Sequence, residues 1–259
     1  MPGEVLVARE GDIATVTLRN PERLNALSRA MWQRLGAVAR ELDADESLRC
    51  VVLRGAGTKA FAAGADISEF ETVRAGAALA RAYGHEAEAA ATALAECRHP
   101  VIAMIYGACV GGGLEIATRC DLRLCGASSR FGIPVNQLGL VVGYGELKPL
   151  IDLVGRAAAL EILLEGRVFG ADEAKEKGLV NRVVADDRVE EESLATARRI
   201  AAGAPLVARW HKKFARRLLD PRPITAEEYD EGFACFETED FQIGYRAFLA
   251  KQKPRFRGK

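Results

Sequence analysis

The sequence predicts a layered α/β fold followed by a purely helical region. Three observations carry this. Short apolar runs bounded by Gly or Pro alternate with helical segments over roughly the first 185 residues, the pattern of strands joined by helical crossovers. From about Asp186 the periodicity is helical throughout, and Pro205, Pro221 and Pro223 mark the breaks between helices. The chain has 259 residues, 49% of them hydrophobic, which suffices for one large domain with an extension and a sizeable core.

The elements follow in order. Val5–Ala8 and Ile13–Leu18 flank Gly11 and Asp12 and read as a β-hairpin. Ser28 caps a helix running to about Leu42, with Met31, Leu35, Val38 and Leu42 on its apolar face. Cys50–Leu53 is a short buried strand ended by Gly55 and Gly57. The Ala-rich stretch from Ser68 to Cys97 reads as one helix, which Pro100 stops before the apolar strand Val101–Ile105. A Gly-rich turn follows, then a helix from about Gly112 and a strand at Leu122–Leu124. No internal repeat of fixed period and no low-complexity linker is visible.

Composition excludes several classes. Lys and Arg balance Asp and Glu at 36 each, so no global field draws the chain to nucleic acid or an anionic membrane. The N-terminus lacks signal-peptide features, and no apolar run reaches the ~18 residues of a membrane span, so a cytoplasmic location is expected. Basic residues gather at Arg209, Lys212, Lys213, Arg216 and Arg217 and again over Lys251–Lys259, as a phosphate-binding patch or a solvated helix face. Cys50, Cys97, Cys109, Cys120, Cys125 and Cys235 show neither metal spacing nor a disulfide framework and suit small core positions. His85, His99 and His211 are scattered without a motif, and no metal-ligand cluster is expected.

Two Gly-containing turns stand apart. One runs from Lys59 to Ile67 through Ala63, Gly64, Ala65 and Asp66. The other runs from Tyr106 to Glu115 through Gly111, Gly112 and Gly113. Each follows a strand and precedes a helix. Small residues let a ligand approach the main chain, and a helix start offers unpaired N–H groups to a polarised oxygen. Neither turn has the GxGxxG or Walker spacing.

Taken together, these turns resemble the crotonase family, also called the enoyl-CoA hydratase/isomerase superfamily. The likeness extends over nearly the whole chain: Asn20–Ser28, both turns, Cys120–Leu122, the pattern Ala174, Gly178, Leu179, Val180 and Val183, then Thr238–Asp240 and Phe248–Pro254. The resemblance implies a crotonase-type spiral of ββα units with a C-terminal helical region. Residues 1–185 would form the spiral α/β core carrying the acyl-CoA site. Residues 186–259 would form a helical region for cover and oligomer contacts, in a homotrimer or dimer of trimers. It implies an acyl-CoA thioester as substrate, with coenzyme A arriving as part of it and no separate cofactor. The backbone N–H groups of Ala65 and Gly112 would hold the thioester oxygen, and Glu115 would be an acid/base. Arg23, Leu24, Lys59, Ala63 and Lys253 would contact the CoA moiety, and Ile67, Leu114, Val135, Leu140 and Val142 would belong to the substrate site.

The chain departs from the family where the second glutamate of a two-glutamate hydratase is expected. Phe131-Gly132-Ile133-Pro134 leads there into Val135, which cannot transfer a proton. Eight residues on, Gly143 replaces the aspartate of dienoyl-CoA isomerases. Leu140–Glu146 suggests an apolar acyl pocket with Tyr144 or Glu146 as polar members, Glu146 more readily starting a helix and facing solvent. Asn136 and Gln137 are candidates to hold a water. The reading is a lyase of the hydratase/isomerase type with Glu115 as the single acid/base. Its rivals are a decarboxylase or other enolate chemistry on a CoA thioester, and a catalytically weak CoA-binding protein. RNA binding finds no support in the neutral charge or in aromatic motifs.

Overall fold

The computed structural model describes residues 3–259. The chain opens with an antiparallel hairpin, β1 (Glu4–Glu10) and β2 (Ile13–Arg19), in which Val7 faces Val16. Helix α1 (Arg29–Ala44) starts at Ser28, whose hydroxyl accepts from the Met31 N–H at 3.3 Å. Next come β3 (Cys50–Gly55), β4 (Ala60–Ala62), α2 (Phe70–Val73) and α3 (Ala77–Glu96). The middle of the chain holds β5 (Val101–Ile105), β6 (Ala108–Val110), α4 (Gly112–Arg119), β7 (Leu122–Gly126) and β8 (Arg130–Gly132). After it come α5 (Tyr144–Glu165), β9 (Phe169–Gly170), α6 (Ala171–Glu176) and β10 (Arg182–Val184). Only helices follow: α7 (Val189–Ala201), α8 (Pro205–Arg217), α9 (Ala226–Asp230), a 3₁₀ stretch at Glu231–Glu237 and α10 (Glu239–Leu249).

The strands form two sheets. The larger has the order β1-β2-β3-β5-β7-β10 and is parallel except for β1. The smaller has the order β4-β6-β8-β9 and is parallel except for β9. Each of β3, β5 and β7 passes directly to its counterpart β4, β6 or β8 in the other sheet. The chain then leaves through helix or 3₁₀ turn, which is the expected spiral of ββα units. The long strands begin at Cys50, Val101 and Leu122. That uneven spacing is why a repeating structure has no repeat of fixed period in the sequence.

Side-chain alternation explains the layering. Val51 and Leu53 of β3 and Val101, Ala103 and Ile105 of β5 point into the main core with α1, α3 and α4. Their neighbours Cys50, Val52, Ile102 and Met104 point the other way, against Val189, Ala197 and Ala201 of α7. Both faces of the sheet are covered, so its strands read as unbroken apolar runs, as parallel sheets do. Five of the six cysteines are buried and all six are free thiols.

One expectation is corrected and one is made specific. The stretch from Ser68 to Cys97 is not one helix. A 3₁₀ turn and the short α2 end at Arg74, and α3 restarts after Gly76, which has φ 90°, a conformation that excludes most side chains. The basic cluster of α8 is an ion-paired face. Lys212 pairs with Asp121 at 2.7 Å, Lys213 with Glu231 at 2.5 Å, Arg216 with Glu96 at 3.0 Å, and Arg217 with Glu228. Among the described residues no helix is long and apolar enough to cross a membrane.

Candidate active site

Parallel neighbours β4 and β6 end on the same side of the small sheet, so the loops that follow them lie side by side. After β4, Leu27 and Ala65 form a parallel bridge. The Leu27 N–H donates to the Gly64 carbonyl and the Asp66 N–H donates to the Leu27 carbonyl, both at 2.8 Å. These bonds hold the peptide units on either side of Ala65 and leave its own N–H directed away from Leu27. After β6, Gly111 takes φ 52°, which a side chain rarely adopts, and its N–H donates to Gly132 of β8 at 2.9 Å. Gly112 is then the first residue of α4, where N–H groups lack helical acceptors. A Cβ at Gly112 would lie 3.5 Å from the Ala65 nitrogen. The two predicted donors are neighbours, and the helix start adds partial positive charge.

The donors border a cavity of about 410 Å³. One wall is this backbone. A second is Val135, Leu140 and Val142, delivered by the turn after β8, the third parallel strand of the small sheet. The lining also includes Phe70, Arg74 and Tyr83 from α2, its end, and α3. Ala63 and Ile67 are at the rim. A larger cavity of about 740 Å³ lies between α3, α5 and α8. Its charges are matched in pairs such as Arg119–Glu88 and Lys212–Asp121, so we place the chemistry in the smaller one.

Glu115 sits on the first turn of α4 and reaches into the cavity. Burial pushes its carboxyl up to about 8; the charge of Glu146 adds to the rise, and Arg74 and Arg119 oppose it. Glu146 corrects the sequence reading. It starts α5 as expected, yet its side chain lines the cavity instead of facing solvent. The Gly143 N–H donates to its carboxylate at 2.8 Å, closing the first turn of the helix, a position that suits an anion. The cavity therefore holds two carboxyl groups. Tyr144 points outward with 94% of its surface exposed and is not a polar member of the acyl pocket. Asn136 and Gln137 donate to the carbonyls of Leu164 and Gly166 at 3.1 and 3.3 Å. They anchor the end of α5 and do not line the cavity.

Leu114 is a further correction. It is fully buried in the main core, because on α4 it points opposite to the cavity. Arg23, Leu24, Lys59 and Lys253 do not line the cavity. Arg23 pairs with Asp66 at 2.5 Å beside the oxyanion loop and also donates to Ser68. The Leu24 carbonyl accepts from Ala63 at 3.0 Å. Lys59 and Lys253 are exposed. Arg74 and Tyr83 escaped the sequence reading, since an arginine and a tyrosine inside an apparently continuous Ala-rich helix carry no motif.

The chain is similar to known proteins over nearly its whole length. The family profile described as enoyl-CoA hydratase/isomerase matches residues 8–259. A probable enoyl-CoA hydratase of Rhizobium meliloti is 36% identical over 98% of this chain and 97% of its own. The short-chain-enoyl-CoA hydratase of Clostridium acetobutylicum is 35% identical over 96% and 95%. The crystal structure of an enoyl-CoA hydratase/carnithine racemase from Magnetospirillum magneticum superposes with a TM-score of 0.97 at 52% identity, over 98% of this chain and 96% of that one.

Proposed function

The chain belongs to the enoyl-CoA hydratase/isomerase family, and from that premise we propose that it adds water across the double bond of a 2-enoyl-CoA with Glu115 and Glu146 as the working pair. The observation that carries this reading is the presence of Glu146 in the cavity that holds Glu115. The carboxylate missing at Val135 is supplied from the start of α5.

The thioester oxygen accepts from the Ala65 and Gly112 N–H groups, which draws electron density from the double bond and stabilises the enolate as it forms. One such donor is worth about 3–4 kcal/mol of barrier. Glu146 takes a proton from water as the oxygen bonds to the β-carbon. Glu115, kept protonated near neutral pH by burial and by its neighbour's charge, delivers a proton to the α-carbon. Two carboxyl groups in one cavity divide into a proton holder and a charge holder. Coenzyme A enters as part of the substrate, and the reaction requires no separate cofactor. Arg23, Leu24, Lys59 and Lys253 are assigned to the nucleotide and pantetheine. The half-exposed Phe233 and Phe236 and the exposed Phe248 favour a homotrimer or dimer of trimers over a monomer, because such aromatic surface is usually covered.

Loss of the enone absorbance of crotonyl-CoA on incubation with the purified protein, abolished in Glu115→Gln and strongly reduced in Glu146→Gln, is the expected result. Full activity in Glu146→Gln would remove the second carboxylate from the mechanism. Val135 favours one rival, enolate chemistry without hydration. Carbon dioxide release from an alkylmalonyl-CoA by a protein inert to crotonyl-CoA would establish that rival.

A further inference from the structure

The cavity contains a cation that no protein group neutralises. Around it, Arg23 pairs with Asp66, Arg29 with Glu86, and Arg119 with Glu88. Arg74 forms no ion pair with any described residue, and its Nε is buried without a hydrogen-bond partner. The guanidinium is nevertheless held in place. Its Cζ lies 4.4 Å from the centre of the Phe70 ring and 4.5 Å from that of Tyr83, and these aromatic faces fix its plane. Arg74 lies at the helix break, as the residue that ends α2.

Tyr83 strengthens the pattern. Its hydroxyl accepts from the Trp32 indole N–H at 2.9 Å, which leaves the phenol proton free to be donated. The remaining wall is apolar, with Phe70, Ala80, Ala87 and Val142. The acidic groups nearest in the cavity are Glu115 and Glu146, and neither lies within ion-pair distance of Arg74. A partly buried guanidinium with an unpartnered Nε and no counter-charge keeps hydrogen-bonding capacity unmet in the empty protein. That capacity is met when a ligand brings an anion with two acceptor oxygens, which a planar guanidinium binds well.

We propose that Arg74, assisted by the Tyr83 hydroxyl, receives a carboxylate at the far end of the acyl chain, so that the substrates are CoA thioesters of unsaturated dicarboxylic acids. The proposal rests on the reading of this cavity as the acyl site. It goes beyond that reading in naming the substrate class and two specificity residues.

The test uses the full-length protein and two saturated ligands that cannot be hydrated, glutaryl-CoA and butyryl-CoA, with dissociation constants measured by calorimetry. Wild type is expected to bind glutaryl-CoA more tightly by about tenfold or more, the range of a hydrogen bond between charged groups. Arg74→Met is expected to remove that preference while butyryl-CoA affinity changes by less than about threefold. Arg74→Lys is expected to restore part of it. In turnover, glutaconyl-CoA should exceed crotonyl-CoA in kcat/KM for wild type and lose its advantage in Arg74→Met. Equal binding of the two ligands by wild type overturns the proposal and leaves the acyl site standing. So does an equal loss of both ligands in Arg74→Met, which would mark Arg74 as structural. Failure of both ligands to bind wild type overturns the acyl-site reading and the proposal together. Arg74-dependent preference for glutaryl-CoA in a protein that hydrates neither enoyl thioester upholds the proposal and overturns hydration.

Discussion

The two sides of the cavity are made of different material. The oxyanion side is main chain, the N–H groups of Ala65 and Gly112 presented by loops after two adjacent parallel strands. Much of the remaining lining is side chain, including Arg74 and Tyr83 from the broken α2–α3 segment and Glu146 from the start of α5. Backbone donors survive most substitutions, so that side can be shared by every member of a family that stabilises a thioester enolate. Side chains can be exchanged singly, so the side-chain lining is where one member can depart from another. Val135, where the family resemblance leads one to expect a glutamate, and Glu146 of α5, the partner of Glu115 in the proposed mechanism, illustrate the difference. On the proposed mechanism, the fold supplies the electrostatics of the enolate, and the exchangeable side chains set the reaction and the acyl group.

Predictions that break or sharpen this contrast run from large effects to small. Glu115→Gln removes the proton donor and should lower kcat for crotonyl-CoA hydration by about 10²–10⁴; a loss under tenfold would take Glu115 out of the chemistry. Gly112→Pro tests the backbone side directly. It deletes the N–H at a first helical position, which tolerates proline, although its Cβ meets Trp32 at 3.3 Å. A fall in kcat of about 10²–10³ is expected, and unchanged kcat with an intact circular dichroism spectrum would show that this donor is idle. Glu146→Gln should cost about 10² in kcat; an unchanged kcat would take Glu146 out of the chemistry.

The smallest effect is on stability. Glu115 is raised to about 8 in the folded chain and is near the ordinary carboxylate value when unfolded. Below about pH 4 both states hold the proton and the site is neutral to stability. As pH rises through the window between the two values, the unfolded chain ionises first, so the unfolded state gains and the native protein is destabilised. Glu115→Gln lacks that penalty. Its Tm should match wild type near pH 4 and rise progressively above it toward pH 8, at about 2–4 °C per kcal/mol of linkage for a chain of this size. A gap that closes as pH rises would mean that Glu115 is charged in the folded protein.

Much of the architecture was legible in the residues. The hairpin, α1 with its Ser28 cap, β3, β5 and α4 appear within a few residues of their expected bounds, because each carries enough apolar residues to show a period. The strands β4, β6 and β8 went unread. Three residues hold too little alternation to register, and β4 and β6 merge with the glycine-rich turns that follow them. The Ala-rich stretch from Ser68 to Cys97 has helical composition throughout, and the single Gly76 that breaks it looks like a tolerated helix glycine.

The sequence by itself determined the α/β class, the two loops that present Ala65 and Gly112, Glu115, and the absence of a glutamate at Val135. All of these are local, written in consecutive residues whose periodicity or motif declares them. Only the tertiary structure decided that Leu114 faces the core, that Tyr144 turns away while Glu146 turns in, and that Arg74 enters the cavity. Those outcomes depend on which way a side chain points once α2, α4 and α5 pack against the small sheet. That direction is set by the contacts among elements distant in the chain.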